Sequence, residues 1–142
     1  MTFFTADSEI DRIGRGLIDR SLPKAEWTHA AHFAAAFWLL RRSEIHAMRD
    51  MPALIRAYNE ATGVSNTDTS GYHETITIAS LRAARAWLVA RPHVSLHAAL
   101  NELLANDWGR SDWLLVYWSR PLLLSVAARR AWVEPDLKPL PF

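Results

Sequence analysis

Three histidines are spaced so that they could share one ion. His29 and His32 stand three residues apart in a stretch of strong helical character. Three residues turn a helix by about 300° and advance it about 4.5 Å, so both rings leave one face. Zinc accepts imidazole nitrogens in such an arrangement at about 2.0–2.1 Å. His73 follows His32 by 41 residues, at the expected start of a later helix, and becomes a third ligand if the two helix ends pack together. The positive end of a helix dipole disfavours imidazolium there and favours the neutral, metal-binding form. Glu26 precedes His29 by three residues and Glu74 adjoins His73. Each has three readings: a fourth ligand, an acceptor for an imidazole N–H, or a general base toward bound water. Tyr72 and Glu74 are the candidate catalytic pair. Asn59, Asn66 and Thr77, with the polar run Thr67-Asp68-Thr69, are expected to shape a pocket above the ion.

Three imidazoles would leave a coordination position open for water, which a metal can convert to hydroxide or exchange for a substrate oxygen. Zinc, nickel, iron(II) and manganese all suit imidazole ligands. This reading is a mononuclear divalent-metal protein, with a metal-dependent reaction on a small molecule as its fullest form. A non-enzymatic module competes with it. There the histidines are structural, satisfying backbone carbonyls, and Trp-rich surfaces dock a partner or a second copy. A third reading holds haem or another aromatic ligand between Trp and His. Removing His73, beside a polar loop, is expected to cost on the order of 1 kcal/mol or less. Removing His32, among Phe33, Ala35 and Ala36, should open a void and cost more.

Several chemistries are excluded by composition. The 142 residues contain no Cys, so disulfides, thiolate ligands, Cys nucleophiles and iron–sulfur clusters are all absent. The net charge of +1 argues against nucleic acid or an anionic membrane as the main partner. No Gly-rich phosphate loop and no Gly-x-Ser-x-Gly elbow occurs. Glu-x-x-His occurs once, at Glu26 to His29, whereas a ferritin-like di-metal site needs it twice. The acidic residues Asp7, Glu9 and Asp11 break any export-signal layout, and the apolar run Phe33 to Leu40 is too short to span a bilayer. A cytoplasmic protein is expected.

The elements that must position these residues are helical. Gly is scarce at five, and no segment sustains the alternation of a strand. The pattern predicts one compact all-α domain over residues 1–142, bundle-like, with five to seven helices and an extended C-terminal tail. Ile10, Ile13, Leu17 and Ile18 stripe a first helix over Ser8 to Asp19. A second, apolar on nearly every side and therefore central, begins at Pro23 or at the N-cap Thr28 and ends at Arg41-Arg42. A third region, Ser43 to Thr62, should be interrupted near Pro52. The fourth helix runs from about Tyr72 to Ala90, capped by Ser70 or Gly71, with His73 in its first turn. A fifth follows Ser95. Trp113 to Trp118 reads as a short helix or a strand, and Ser119 to Ala131 as helix in two pieces meeting at Ser125. His46, His93 and His97 are expected at the surface. Arg129-Arg130 should complement a helix dipole.

Two blocks carry a resemblance. Trp27-Thr28-His29-Ala30-Ala31-His32 and Ser70-Gly71-Tyr72-His73-Glu74-Thr75-Ile76-Thr77 resemble a family of small, uncharacterised bacterial helical proteins. Ser119-Arg120, Ala128 to Arg130 and Val133 to Leu137 are similar too, so the resemblance spans roughly Glu26 to Leu137. It implies a shared helical fold and a shared site, and carries no activity. DinB-like bundles also hold a metal with three histidines. There the later two share a helix, whereas here the close pair comes first, so that comparison is one of architecture alone.

Overall fold

A computed structural model of the chain describes residues 3–42 and 44–142. Ser43, where the third helical region was expected to begin, lies outside them. The described residues form seven α-helices and no strand: α1 Asp7–Asp19, α2 His29–Arg41, α3 Ala47–Ala61, α4 Glu74–Val89, α5 Leu96–Leu104, α6 Arg120–Leu123 and α7 Val126–Arg130. Short 3-10 turns cover Lys24–Glu26, Asp107–Gly109 and Trp113–Val116. Among the described residues, no helix is long and apolar enough to cross a membrane.

α2 is the axis of the molecule. Every residue from Phe33 to Leu39 is buried, because its all-round apolar sequence leaves no face for water. α1, α3, α4 and α5 all pack against it. Thr28 starts the helix by accepting the N–H of Ala31 at 3.2 Å, so the later of the two expected starts is the real one. α1 approaches closely at Gly14, where a Cβ would stand 2.2 Å from the Trp38 ring. The Trp38 indole donates to Asp11 Oδ1 at 3.0 Å and fixes that contact.

Two features differ from expectation, and one open alternative is decided. α3 runs through Pro52 without a break. Pro52 costs one helical hydrogen bond, and the buried Met51, Ile55 and Tyr58 hold the helix on the core regardless. α4 begins at Glu74, with His73 itself as the N-cap instead of Ser70 or Gly71. Trp113–Val116 is helical, of the 3-10 type. The break at Ser125 is where the sequence placed it: α6 ends, and the Ser125 hydroxyl accepts the Ala128 N–H at 3.1 Å to begin α7.

The tail from Trp132 straps over the core. Trp118 Nε1 donates to the Val133 carbonyl at 3.1 Å, and the Leu137 N–H to the Tyr117 carbonyl at 2.9 Å. Phe142 packs on both Trp108 and Trp113. The aromatic residues thus serve as packing, joining the last third of the chain to the helical core.

Candidate functional site

A cavity of about 410 Å³ opens between the start of α2, the middle of α3, the first turns of α4, and the segment from Ser111 to Leu124. Its walls are chiefly apolar, with Phe33, Met51, Ile55, Ile76, Trp113 and Leu123 among them. His29, His32, Thr77, Ser80, Ser111, Asp112 and Arg120 supply its polar groups. The His29/His32 pair and Thr77 therefore reach one site, as their placement on α2 and α4 required.

His32 is the best-defined polar group there. Its Nδ1 lies 2.8 Å from the Thr28 carbonyl, an acceptor, so Nδ1 carries the proton and donates. Nε2 is left as an acceptor with no partner among the described residues. Trp27 lies against the ring, with centroids 3.9 Å apart and planes tilted by 36°. Burial pushes the imidazole pKa down to about 4, with the neighbouring His29 a smaller cause in the same direction. The ring is neutral at physiological pH. His29 sits beside it with Nε2 donating to the Trp108 carbonyl at 3.0 Å, which ties α2 to the Asp107–Gly109 turn and leaves Nδ1 unpartnered.

His73 is employed differently. It is 7% exposed, and both ring nitrogens are occupied. Nδ1 accepts the Ile76 N–H at 3.2 Å, and Nε2 donates to the Leu123 carbonyl at 2.7 Å. Burial holds its pKa below the usual histidine value, and the nearby Arg129 acts in the same direction. Its dual role also corrects the expected ease of removing it. The side chain caps α4 and anchors α6, so its loss strands a backbone group at each end.

The remaining sequence candidates are distributed as follows. Glu26 pairs with Arg12 of α1. Asn59 donates to Asn66 Oδ1 at 3.0 Å, and the same oxygen accepts the Tyr72 N–H at 3.0 Å, so the two amides brace the loop between α3 and α4. Gly71, at φ +77°, makes the turn; a Cβ there would lie 2.6 Å from Asn66 Oδ1. The buried Tyr72 donates to Glu74 Oε1 and carries the Arg56 guanidinium 4.3 Å above its ring. Burial, then Glu74, raises its phenol pKa, with Thr77 a smaller influence in the opposite direction. Tyr72 and Glu74 do not line the cavity; Thr77 does.

The expected metal donors do not fit one ion in this arrangement. His73 has no free nitrogen, Glu26 is turned to Arg12, and among the described residues no three His, Asp or Glu side chains form a metal-holding group. Only His29 and His32 of the expected ligands share the cavity, and two imidazoles are fewer than the three protein ligands of a catalytic zinc site.

Sequence reasoning missed the outer wall. Trp113, Leu114, Leu123 and Arg120 meet the histidines only through tertiary packing, and no local periodicity announces that. It also took Arg129 for a dipole complement alone, whereas Arg129 donates to the Gly71 and Tyr72 carbonyls at 3.0 and 3.2 Å. Arg130 forks onto Asp68 at 2.8 and 2.7 Å. His46 caps α3 by accepting the Arg49 N–H, and His97 pairs with Asp7. Compared with family models, curated proteins and solved structures, the chain has no match. The functional reading rests on the cavity itself.

Proposed function

We propose that the protein binds a small, mostly apolar molecule that presents a hydrogen-bond donor to His32. One observation carries this: His32, kept neutral by burial and with no partner for Nε2 among the described residues, lines a chiefly apolar cavity of about 410 Å³. The volume falls within the roughly 300–1,000 Å³ of small-molecule sites, which combine apolar walls with a few placed polar groups. The Thr28 carbonyl fixes the tautomer, so the acceptor is always on the same nitrogen. A pKa of about 4 favours recognition over proton abstraction, because a general base works best with a pKa near the operating pH.

Titration of the purified protein with octan-1-ol, followed by calorimetry and tryptophan fluorescence, tests this. Binding by the wild type, weakened in His32→Leu and lost in Ala36→Leu, supports the proposal; Ala36→Leu fills the cavity from α2. Absence of octanol binding, or equal binding by all three proteins, overturns it.

A second reading keeps a divalent zinc, nickel, iron or manganese ion. What favours it is that His29 Nδ1 and His32 Nε2 are both unpartnered and belong to rings lining one cavity. The remaining ligands would have to come from a bound molecule or water. Elemental analysis of protein purified without an affinity tag or chelator checks it: stoichiometric metal supports this reading, and metal-free protein removes it.

A further inference from the structure

The cavity's charges specify its occupant more closely. Four of its lining side chains can carry charge: His29, His32, Asp112 and Arg120. His32 is neutral, for the reason already given. Asp112 is engaged by Arg110, whose Nε lies 3.3 Å from its carboxylate. Arg120 stands at the first position of α6 with its guanidinium free of any ion pair or hydrogen bond among the described residues. Other arginines are committed elsewhere: Arg56 to the Tyr72 ring, Arg129 to two carbonyls and Arg130 to Asp68.

Arg120 is not needed to hold the fold. Ser119 caps α6 through its own hydroxyl, and the Ser119 N–H is taken by Asp136, so the backbone there is satisfied without the arginine. A long, exposed cation at the mouth of an apolar cavity suits a ligand with an anionic end at the surface and an apolar body inside. Guanidinium matches a planar carboxylate with two parallel hydrogen bonds. Placing the anion at the mouth keeps it hydrated and spares it burial, which an isolated charge tolerates poorly.

We infer that the natural ligand is an amphipathic monocarboxylate, its apolar body between α2, α3 and α4 and its carboxylate on Arg120. This rests on the cavity-binding reading above and names the ligand class for it. A hydroxyl or amide along the body would meet His32 Nε2, while Thr77 and Ser80 on α4 can serve a second polar group.

Octanoate, octan-1-ol and octylamine share one apolar body and differ in the head group, so calorimetric titration of the three at pH 7.5 separates the two claims. Octanoate is expected to bind tightest. Arg120→Gln should weaken it about tenfold, the size of one charge-assisted contact, and leave octanol unchanged. Arg120→Lys should recover part of the loss, with the charge kept and the fork absent. Circular dichroism of both variants should match the wild type, since Arg120 is exposed and unpaired. If octanol or octylamine binds as tightly as octanoate, or Arg120→Gln leaves octanoate unaffected, the carboxylate inference is overturned while the cavity reading stands. If octan-1-ol fails to bind, the cavity reading falls, and this inference falls with it.

Discussion

At the start of α4, a buried imidazole accepts from one backbone group and donates to another, leaving nothing for a ligand. At the start of α2, His32 donates once to the backbone and keeps a lone pair, on a ring that lines the cavity. Both rings stand near a helix N-terminus, both are neutral, and both have pKa values depressed by burial. What separates them is register. His73 occupies the cap position, where its Nδ1 meets the orphan N–H of Ile76. His32 lies four residues past its cap, Thr28, where the reachable backbone group is the Thr28 carbonyl. An acceptor position consumes the lone pair, and a donor position preserves it. Counting nitrogens, rather than histidines, tells a ring whose hydrogen-bonding capacity is spent from one with an acceptor to spare.

The largest effect that could break this comparison is on stability. His73→Ala should cost about 2–4 kcal/mol, combining a lost helix cap with an unsatisfied Leu123 carbonyl. His73→Asn should recover part of it, because Asn is a good N-cap. Urea denaturation checks both. A cost below about 1 kcal/mol would mean the ring is spare after all.

Acid comes next. The folded-state pKa of His32 lies below the ordinary 6.5, so the unfolded chain binds the proton more readily. Stability is therefore full above about pH 6.5 and falls as pH drops toward 4, by on the order of 2 kcal/mol. The depressed His73 value adds to the loss in the same direction. Denaturation curves between pH 7.5 and 4.5 should show it, and His32→Gln should flatten the slope.

A smaller cost is expected for His32→Ala at pH 7.5, about 1 kcal/mol or less. The ring already faces open space and gives up one hydrogen bond and the Trp27 contact. The order of the two histidine substitutions is thus the reverse of the one the sequence alone suggests. The most delicate test moves no stability at all. Nitrogen-15 chemical shifts at neutral pH should place the proton on Nδ1 of His32 and on Nε2 of His73. The same tautomer in both would remove the distinction.

Much of this architecture was legible in the residues. The unbroken apolar run from Phe33 to Leu39 marks α2 as the buried axis, Thr28 as its cap, and Ser125 as the joint between α6 and α7. The His29/His32 pair was correctly placed on a shared face because helical spacing is a local property. The role of His73 was not legible, since an imidazole cap depends on a ring rotamer and on the Leu123 carbonyl, fifty residues away. Pro52 misled for a similar reason: burial of Met51 and Ile55 outweighs one missing hydrogen bond, and burial is a tertiary fact. The same holds for Arg120, whose neighbourhood with His32 arises only when the last third of the chain folds back.

That fold-back has a temporal consequence. During synthesis at about 5–20 residues per second, α2, α3 and α4 leave the ribosome several seconds before Trp113 to Leu124 and the strap that ends with Phe142 against Trp108 and Trp113. The nascent chain passes through an interval in which the histidine face of α2 is built but its outer wall is missing. A ligand of the proposed kind would meet only the finished wall, so its occupancy would hold the late-arriving segment in place.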